Sequence, residues 1–188
     1  MKLSNCFIFR VDASSNIGYG HLVRCSALAE QIYEKGNDIV FATNYPEEIR
    51  KVIKHFKFDL IDLNKFHPFS EKEINYLSSS MKKIKHKKAF IVDSYNVTFE
   101  YLKKLKDEFL EMLFIAIDDL AEKTYPVDIL INGNIYAEKL DYSKQKDFGT
   151  KLLLGPKYLL LRKEFQNSSP NEVKDKVSDI LVIFGGGG

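Results

Sequence analysis

The chain runs Cys6-Phe-Ile-Phe-Arg-Val11, then Asp12-Ala-Ser-Ser-Asn-Ile-Gly18-Tyr19-Gly20, then His21-Leu-Val-Arg24 near its start. The first six residues form a short apolar run of the kind found in strands buried inside a sheet. The polar segment with two glycines predicts a loop. Apolar residues then recur at helical spacing, which predicts a helix from about His21 to Lys35. A strand, a loop and an amphipathic helix in this order make up the first unit of an α/β fold.

The same alternation continues along the chain. Further strands are predicted at 38–43, 60–63, 89–92, 113–117, 129–131 and 180–184. Helices are expected to open at Pro46, at Thr98 and at the Ser-x-x-Glu capping box of Ser70, the last of these reaching toward Lys85. The predicted fold class is therefore α/β, with a parallel, doubly wound, Rossmann-like sheet.

Composition excludes several classes of protein. Hydrophobic residues make up 45% and charged residues 29% of the chain, as in globular domains that bury a core. The formal net charge is only +2, so no whole-chain field attracts nucleic acid or an anionic membrane. The basic run Lys82–Lys88 is expected to be a solvated helix end, because no aromatic side chains interleave with its charges. We predict neither a nucleic-acid partner nor a membrane partner.

Other absences point the same way. No apolar run approaches the length of a membrane span and no signal peptide is recognisable, so a cytoplasmic location is expected. The two cysteines, Cys6 and Cys25, are expected to be buried free thiols. No cluster of Cys and His has the spacing of metal ligands, so no metal site is predicted.

Polar side chains follow several of the predicted strands, at the point where each strand ends. Ligands of open parallel sheets bind beyond the carboxyl ends of the strands, so these residues form a candidate site as a group. For any single one of them, an ordinary role in a loop or cap is the alternative. The group comprises Asp12, Ser14, Ser15, Asp93, Tyr95, Asp118, Asp119, Asn132 and Asn134.

The loop Gly18-Tyr19-Gly20-His21 stands apart from the other strand ends. Alternating glycines let the backbone adopt positive φ and pass close to a ligand. The third glycine of the dinucleotide fingerprint would fall at Val23, and Thr43-Asn44 stand where an acidic residue would end strand two, so NAD is not the expected ligand. His21 is expected in the first helical turn, where the helix dipole favours neutral imidazole, a competent general base. A histidine that only helps to cap the helix is the alternative.

The motif from Phe9 to Arg24 resembles the opening of the nucleotide-sugar hydrolase family of pseudaminic acid biosynthesis, which has the form R-x-D-x-S-x-x-I-G-x-G-H-x-x-R. That family removes UDP from UDP-2,4-diacetamido-2,4,6-trideoxy-altropyranose. Four later segments resemble other family motifs in the same order along the chain, so the likeness spans nearly all of it. They are Val92-Asp93-Ser94-Tyr95, Ile117-Asp118-Asp119, Leu130 to Ala137 with Asn132-Gly133-Asn134, and Gly155 to Phe165 with Arg162.

The resemblance implies a glycosyltransferase B-type fold, in which two Rossmann-like domains enclose the active site. It implies hydrolysis of a UDP-sugar substrate at the anomeric carbon, with inversion and without a metal or other cofactor. His21 falls on the catalytic histidine, and Asp12 would stabilise developing oxocarbenium charge. The remaining substrate contacts that we expect are Gly18, Tyr19, Gly20 and Arg162 and, from their position in the matching segments, Tyr95, Asn132 and Asn134.

The end of the chain departs from the family pattern. We expect a catalytic, sugar-binding domain at 1–166, a linker at 167–178, and at 179–188 the first strand and glycine-rich loop of a second domain. Gly185 and Gly186 would contact the nucleotide. The chain looks truncated there, so the C-terminal nucleotide-binding domain is the missing partner, and little activity is expected without it.

Two other functions remain open on the sequence. The first is a glycosyltransferase of similar architecture, which would transfer the sugar to an acceptor rather than to water. The second is a non-catalytic module that binds a nucleotide sugar. Product analysis separates the first from a hydrolase, and the effect of replacing His21 separates the second.

Overall fold

A computed structural model describes residues 4–165, 176–177 and 180–182. Within them the strands are β1 (Cys6–Val11), β2 (Asp38–Thr43), β3 (Asp59–Asp62), β4 (Lys88–Asp93), β5 (Leu113–Ile117), β6 (Ile129–Asn132) and β7 (Lys151–Leu154). The α-helices are α1 (Gly20–Glu34), α2 (Pro46–Val52), α3 (Glu71–Lys82), α4 (Phe99–Glu108) and α5 (Ser143–Lys146). Short 3-10 helices lie at Ala137–Lys139, Pro156–Tyr158 and Lys163–Phe165.

The seven strands form one sheet in the order β3-β2-β1-β4-β5-β6-β7, and every pairing is parallel. The predicted α/β class and Rossmann-like parallel sheet are therefore confirmed. The chain steps outward from β1 to β3, then crosses to the other side of β1 and continues to β7. Strand order thus reverses between β1 and β4, which is where ligands of such sheets bind.

Each face of the sheet is covered by its own apolar core. One core joins α3 and α4 to the sheet through residues such as Leu77, Met81 and Leu102. The other joins α1 to the opposite face through residues such as Leu22 and Cys25. Side chains of a strand alternate between faces, so buried strands of this kind are apolar on both sides, as the sequence of β1 indicated.

Several sequence predictions differ from the structure, most of them by a residue or two at the ends of elements. The helix expected from His21 begins one residue earlier, at Gly20, and the helix from Ser70 ends at Lys82 rather than near Lys85. Strand β7 was not predicted, because only four residues precede Gly155-Pro156 and show no clear alternation. The strand predicted at 180–184 is absent at its described positions 180–182, which are exposed and pair with no described strand.

The rest of the predicted linker and second domain, including Gly185 and Gly186, lies outside the described residues. None of the described helices is long and apolar enough to cross a membrane.

A buried charge interrupts the apolar side of β1. Arg10 is completely buried, and its guanidinium binds both carboxylate oxygens of Glu73 from α3, with Nε–Oε1 at 3.0 Å and Nη2–Oε2 at 3.2 Å. Glu73 is also completely buried, and it accepts a further bond from the Tyr101 hydroxyl at 2.8 Å. Ser70 caps α3 as predicted, but the Glu73 carboxylate accepts from the N–H of Phe69 and not from that of Ser70, so the expected capping box is not completed. The same carboxylate lies in the core, where it pairs with Arg10.

The segment before α3 is shaped by the same pair. Phe69 has a positive φ of 59°, a backbone conformation that costs a non-glycine residue about 1–3 kcal/mol. Its N–H donates to Glu73 Oε2 at 3.0 Å, and its ring lies 4.5 Å from the Arg10 guanidinium carbon. These two contacts stabilise the turn that leads the chain into α3.

We expect Glu73→Gln to lower the free energy of unfolding by about 3–5 kcal/mol, because it leaves the Arg10 charge buried without its main partner. Glu71→Gln is the matched control, since Glu71 lies two residues away and is exposed, and it should cost less than about 1 kcal/mol. Urea unfolding followed by circular dichroism measures both. Equal losses for the two variants would contradict a structural role for the buried pair.

Candidate active site

The candidate site lies at the carboxyl ends of the strands, where β1 and β4 are neighbours. The loop after β1 is folded tightly on itself: the Gly18 N–H donates to the Ser14 carbonyl at 2.8 Å, and Gly18 has a φ of +87°. The positive φ expected in this loop is thus found at Gly18, whereas Gly20 opens α1 with ordinary backbone angles. A Cβ atom at either glycine would meet no atom of the described residues within 4 Å, so the loop is open to an approaching ligand.

His21 lies in the first turn of α1, as predicted, and faces the end of β4. Its Nδ1 is 2.7 Å from Oδ1 of Asp93, a carboxylate that is only 1% exposed. Because an ionised carboxylate only accepts hydrogen bonds, Nδ1 carries the proton in this contact. No described residue is a hydrogen-bond partner of Nε2, which leaves that nitrogen available to a ligand or water.

Arg24 lies one helical turn after His21 and joins two carboxylates. Its Nε and Nη2 bind the two oxygens of Asp93 at 2.5 and 2.6 Å, and its Nη1 binds Asp119 at 2.7 and 2.9 Å. Burial lowers the pKa of Arg24, but its two partners outweigh burial and the net pKa is raised. Nη2 is also 3.1 Å from His21 Nδ1. Since both atoms carry protons, this last contact is a close approach of charge to the ring and not a hydrogen bond.

Asp119 gathers the polar groups on the far side of Arg24. The Tyr95 hydroxyl donates to its Oδ2 at 2.8 Å, and the Asn134 amide donates to its Oδ1 at 2.8 Å. Burial alone would raise the pKa of Asp119, but the hydrogen bonds and charge of Arg24 outweigh it, so the pKa lies below its usual value. Burial and the bond to Asp119 raise the pKa of Tyr95 to about 12. The Tyr95 ring meets His21 edge-on, with centroids 4.6 Å apart.

These six residues, His21, Arg24, Asp93, Tyr95, Asp119 and Asn134, are called the edge cluster below. Asp118 lies beneath it and supports it. The carboxylate of Asp118 accepts hydrogen bonds from the hydroxyls of Tyr125 and Tyr142 at 3.1 and 2.7 Å. Burial raises the pKa of both tyrosines, so they remain donors at neutral pH.

Asn132 also supports the edge cluster, because both ends of its side-chain amide form hydrogen bonds within the protein. Its Nδ2 donates to Tyr142, and its Oδ1 accepts from the backbone and side chain of Asn134. The arrangement holds Asn134 in place, and a direct contact between Asn132 and substrate stays a prediction from the family motif.

Asp12, predicted to contact substrate, is 7% exposed and belongs to the Arg10 network. Its Oδ1 accepts from the Thr43 hydroxyl at 3.0 Å and the Asn44 N–H at 2.8 Å, and lies 2.8 Å from Arg10 Nη1. That last pair lacks hydrogen-bond geometry, which leaves Nη1 a buried nitrogen without a hydrogen bond in the described residues. Asp12 therefore ties the end of β1 to the end of β2.

The other predicted contacts are dispersed. Tyr19 donates to Glu48 of α2 at 2.7 Å, which anchors the glycine loop. Arg162 is half exposed and pairs with Glu164 at 2.9 Å, and no hydrogen bond connects it to the edge cluster. Gly133 packs closely on the segment after β7, since a Cβ there would lie 2.6 Å from the Leu159 Cα. Any larger residue at Gly133 would displace that segment.

The sequence interpretation did not assign roles to Arg24 and to the pairing of Asp93 with His21. A signal was present, because Arg24 follows His21 by three residues on a helix, a spacing that places both side chains on one face. Arginine is also rare in this chain: of 28 Lys and Arg residues only Arg10, Arg24, Arg50 and Arg162 are arginines. The two least exposed arginines, Arg10 and the partly buried Arg24, each join two carboxylates.

We expect Asp119→Asn to lower the free energy of unfolding by about 1–3 kcal/mol at pH 6, since hydrogen bonds to a charged group are lost. The pKa of Asp119 is lower in the folded protein than in the unfolded chain. Its contribution is therefore complete above the unfolded pKa and is lost as the pH falls below about 4. The free energies of unfolding of the wild type and of Asp119→Asn, measured from pH 6 to pH 2.5, should become equal at the acidic end.

Asp147→Asn, at an exposed aspartate, controls for the change of net charge. A difference between wild type and Asp119→Asn that stays constant from pH 6 to pH 2.5 would contradict this assignment.

Comparison with known proteins gives two relatives, while no family model matches the sequence. The chain is 31% identical to the UDP-2,4-diacetamido-2,4,6-trideoxy-beta-L-altropyranose hydrolase of Campylobacter jejuni, over 95% of this chain and 60% of that protein. It is 28% identical to the uncharacterized protein MJ1062 of Methanocaldococcus jannaschii, over 93% of this chain and 35% of that protein. The chain thus spans less than two thirds of either relative. The resemblance carried by the motifs is thereby confirmed. Nearly the whole of this chain is related to part of the UDP-2,4-diacetamido-2,4,6-trideoxy-beta-L-altropyranose hydrolase.

Proposed function

We propose that this chain supplies the sugar-binding and catalytic part of a nucleotide-sugar hydrolase. The substrate would be a UDP-linked diacetamido-trideoxy sugar, cleaved at its anomeric C–O bond for pseudaminic acid biosynthesis. The observation that carries the proposal is the pairing of His21 with a buried carboxylate, Asp93, at the carboxyl edge of the sheet. The relationship to a curated UDP-sugar hydrolase supports the same reaction class.

His21 would act as the general base. A carboxylate that accepts the Nδ1 proton fixes the tautomer of the ring and presents the lone pair of Nε2, as in other catalytic dyads. Nε2 would accept a proton from water while the water oxygen bonds to the anomeric carbon. The C1–O bond then breaks, and its electron pair leaves with UDP. Attack opposite the leaving group inverts the configuration of the sugar.

The sugar would lie over the edge cluster. The Asn134 amide oxygen has no partner among the described residues, and Tyr95 is 48% exposed, so both offer contacts to hydroxyl or acetamido groups. Arg24 faces two carboxylates, Asp93 and Asp119, so this group keeps one formal negative charge, which suits the positive charge that develops on the sugar ring. Exposed apolar residues, among them Ile17 at 42% and Ile135 at 83%, flank the same edge and suit acetamido methyl groups or a second domain.

The pyrophosphate would be held elsewhere. Arg24 is the only cation of the edge cluster, and two carboxylates already neutralise it. Binding the diphosphate therefore calls for other donors, which fits a glycosyltransferase B-type arrangement with the nucleotide on a second domain. Gly185 and Gly186 are proposed to begin that nucleotide site. The chain alone is expected to show little or no turnover, and the cytoplasmic location likewise stays a prediction.

A proton-NMR time course on the UDP-diacetamido-trideoxy sugar tests the proposal. It is run on the 188-residue chain and on an extended protein, in which this chain is joined to a C-terminal nucleotide-binding domain. Release of UDP with free sugar of inverted anomeric configuration, by the extended protein, is the expected result. Transfer of the sugar to an added acceptor would favour a glycosyltransferase, and binding without turnover would favour a non-catalytic module. Intact, unbound substrate after long incubation would contradict all three functions, the hydrolase, the glycosyltransferase and the binding module.

Within that assay we expect His21→Gln to lower kcat by about 10²–10⁴-fold with little change in KM, since it removes the base and leaves the binding groups in place. His55→Gln is the matched control, because His55 is half exposed and its nearest carboxylate is Glu30 at 3.7 Å. It should keep full activity. A His21→Gln enzyme as fast as the control would remove His21 from the mechanism.

A further inference from the structure

The pairing of His21 with Asp93 raises a problem of charge. A carboxylate that is 1% exposed and 2.7 Å from an imidazole attracts a second proton to the ring, because the charged pair is poorly screened there. An imidazolium has no lone pair and cannot accept a proton from water. A base built on this pair therefore requires something that cancels the charge of Asp93 without taking the place of His21.

Arg24 meets both requirements. Its guanidinium binds both oxygens of Asp93, so a positive charge lies directly against the carboxylate that faces His21 and offsets its field at the ring. Oδ1 of Asp93 nevertheless still accepts from His21 Nδ1. Nη2 of Arg24 also lies 3.1 Å from Nδ1, where its positive charge directly opposes protonation of the ring. One arginine thus offsets the charge of Asp93 and places positive charge beside the ring, and both effects disfavour an imidazolium.

Arg24 is itself held by more than Asp93. Asp119 binds its Nη1 on the opposite edge, and Tyr95 and Asn134 in turn donate to Asp119. The planar guanidinium is therefore fixed between two carboxylates, a geometry that the single point charge of a lysine does not reproduce.

The other groups around His21 act more weakly. The Cys25 thiol, whose pKa burial raises well above its usual value, remains protonated and points to Asp93 Oδ2 at 3.6 Å. The Tyr95 ring contacts His21 edge-on. The amino end of α1 adds partial positive charge, which like Arg24 disfavours an imidazolium.

We propose that Arg24 is a positioning residue that neutralises and orients Asp93, so that His21 keeps a single ring proton on Nδ1 and a free lone pair on Nε2. The inference deepens the proposed function and rests on His21 being the base. Its central measurement nevertheless needs no substrate, so it fails or succeeds separately from the hydrolase assignment.

The test is ¹⁵N NMR of the His21 ring nitrogens at pH 7, in the wild-type protein and in Arg24→Gln. Glutamine keeps a hydrogen-bond donor and removes the charge. In the wild type we expect a protonated Nδ1 and a bare Nε2. In Arg24→Gln the ratio of imidazolium to imidazole should rise about tenfold or more, as the loss of one nearby charge implies. Arg50→Gln, on an exposed arginine, is the control and should leave the ring signals unchanged.

Arg24→Lys provides a second variant that keeps the charge and is the gentler change if Arg24→Gln does not fold. In this variant the His21 ring should remain largely neutral. A mixture of Nδ1–H and Nε2–H tautomers is expected, because a lysine does not bind both oxygens of Asp93. In the extended protein, kcat of either variant should fall by about tenfold or more with KM within about threefold. For Arg24→Gln the loss should shrink as the pH is raised.

Two results would overturn the inference. One is a wild-type ring that is doubly protonated, or protonated on Nε2, at pH 7. The other is a folded Arg24→Gln or Arg24→Lys protein whose ring signals match the wild type. If the ring signals change as expected while the extended wild-type protein does not hydrolyse the UDP-sugar, the role of Arg24 stands and the proposed reaction fails.

Discussion

The parallel pairing of β1 with β4 is the constraint on which the candidate site depends. Parallel strands send all their carboxyl ends to one edge, and the reversal of strand order between these two leaves a crevice there. The loop after β1 leads directly into α1, and β4 ends at Asp93. His21 and Asp93 are 72 residues apart along the chain, yet the register that sets Val11 beside Asp93 brings them into hydrogen-bond contact.

Two arginines, the buried Arg10 and the partly buried Arg24, are each paired with two carboxylates. Arg10 lies between Glu73 and Asp12, and Arg24 lies between Asp93 and Asp119. Removing a charge from water is costly, and a carboxylate on each side of a planar guanidinium offsets that cost, through hydrogen bonds in every pair except Arg10 with Asp12. The Arg10 network joins the ends of β1 and β2 to α3, while the Arg24 network joins α1 to the ends of β4 and β5. Both networks lie at the carboxyl edge of the sheet. The interactions that stabilise the fold there also position the residues of the proposed chemistry.

Much of this arrangement was predictable, and the parts that were not have a common cause. Strands β1, β2 and β5 were predicted with correct bounds, because buried parallel strands are continuous apolar runs that stand out in a sequence. The positive φ at Gly18 and the place of His21 in the first turn of α1 followed from local rules. Glu73 was assigned to a capping box by the same local rules, and the structure sends its carboxylate to Arg10 instead, 63 residues away. The sequence placed Asn132 among the ligand contacts, which stays a prediction, but it gave no sign that both ends of the Asn132 amide bind inside the protein.

By itself the sequence determined the α/β class, the edge of the sheet that carries the polar residues, the glycine loop with His21 and the relationship to a hydrolase. These properties depend on local periodicity, chain direction and motif, which a linear sequence contains in full. The tertiary structure alone decided that Asp93 is the partner of His21, that Arg24 joins Asp93 to Asp119, and that Asp12 faces the end of β2. Hydrogen bonds between side chains act over about 3 Å, so their partners are set by the folded packing of distant segments and not by their spacing along the chain.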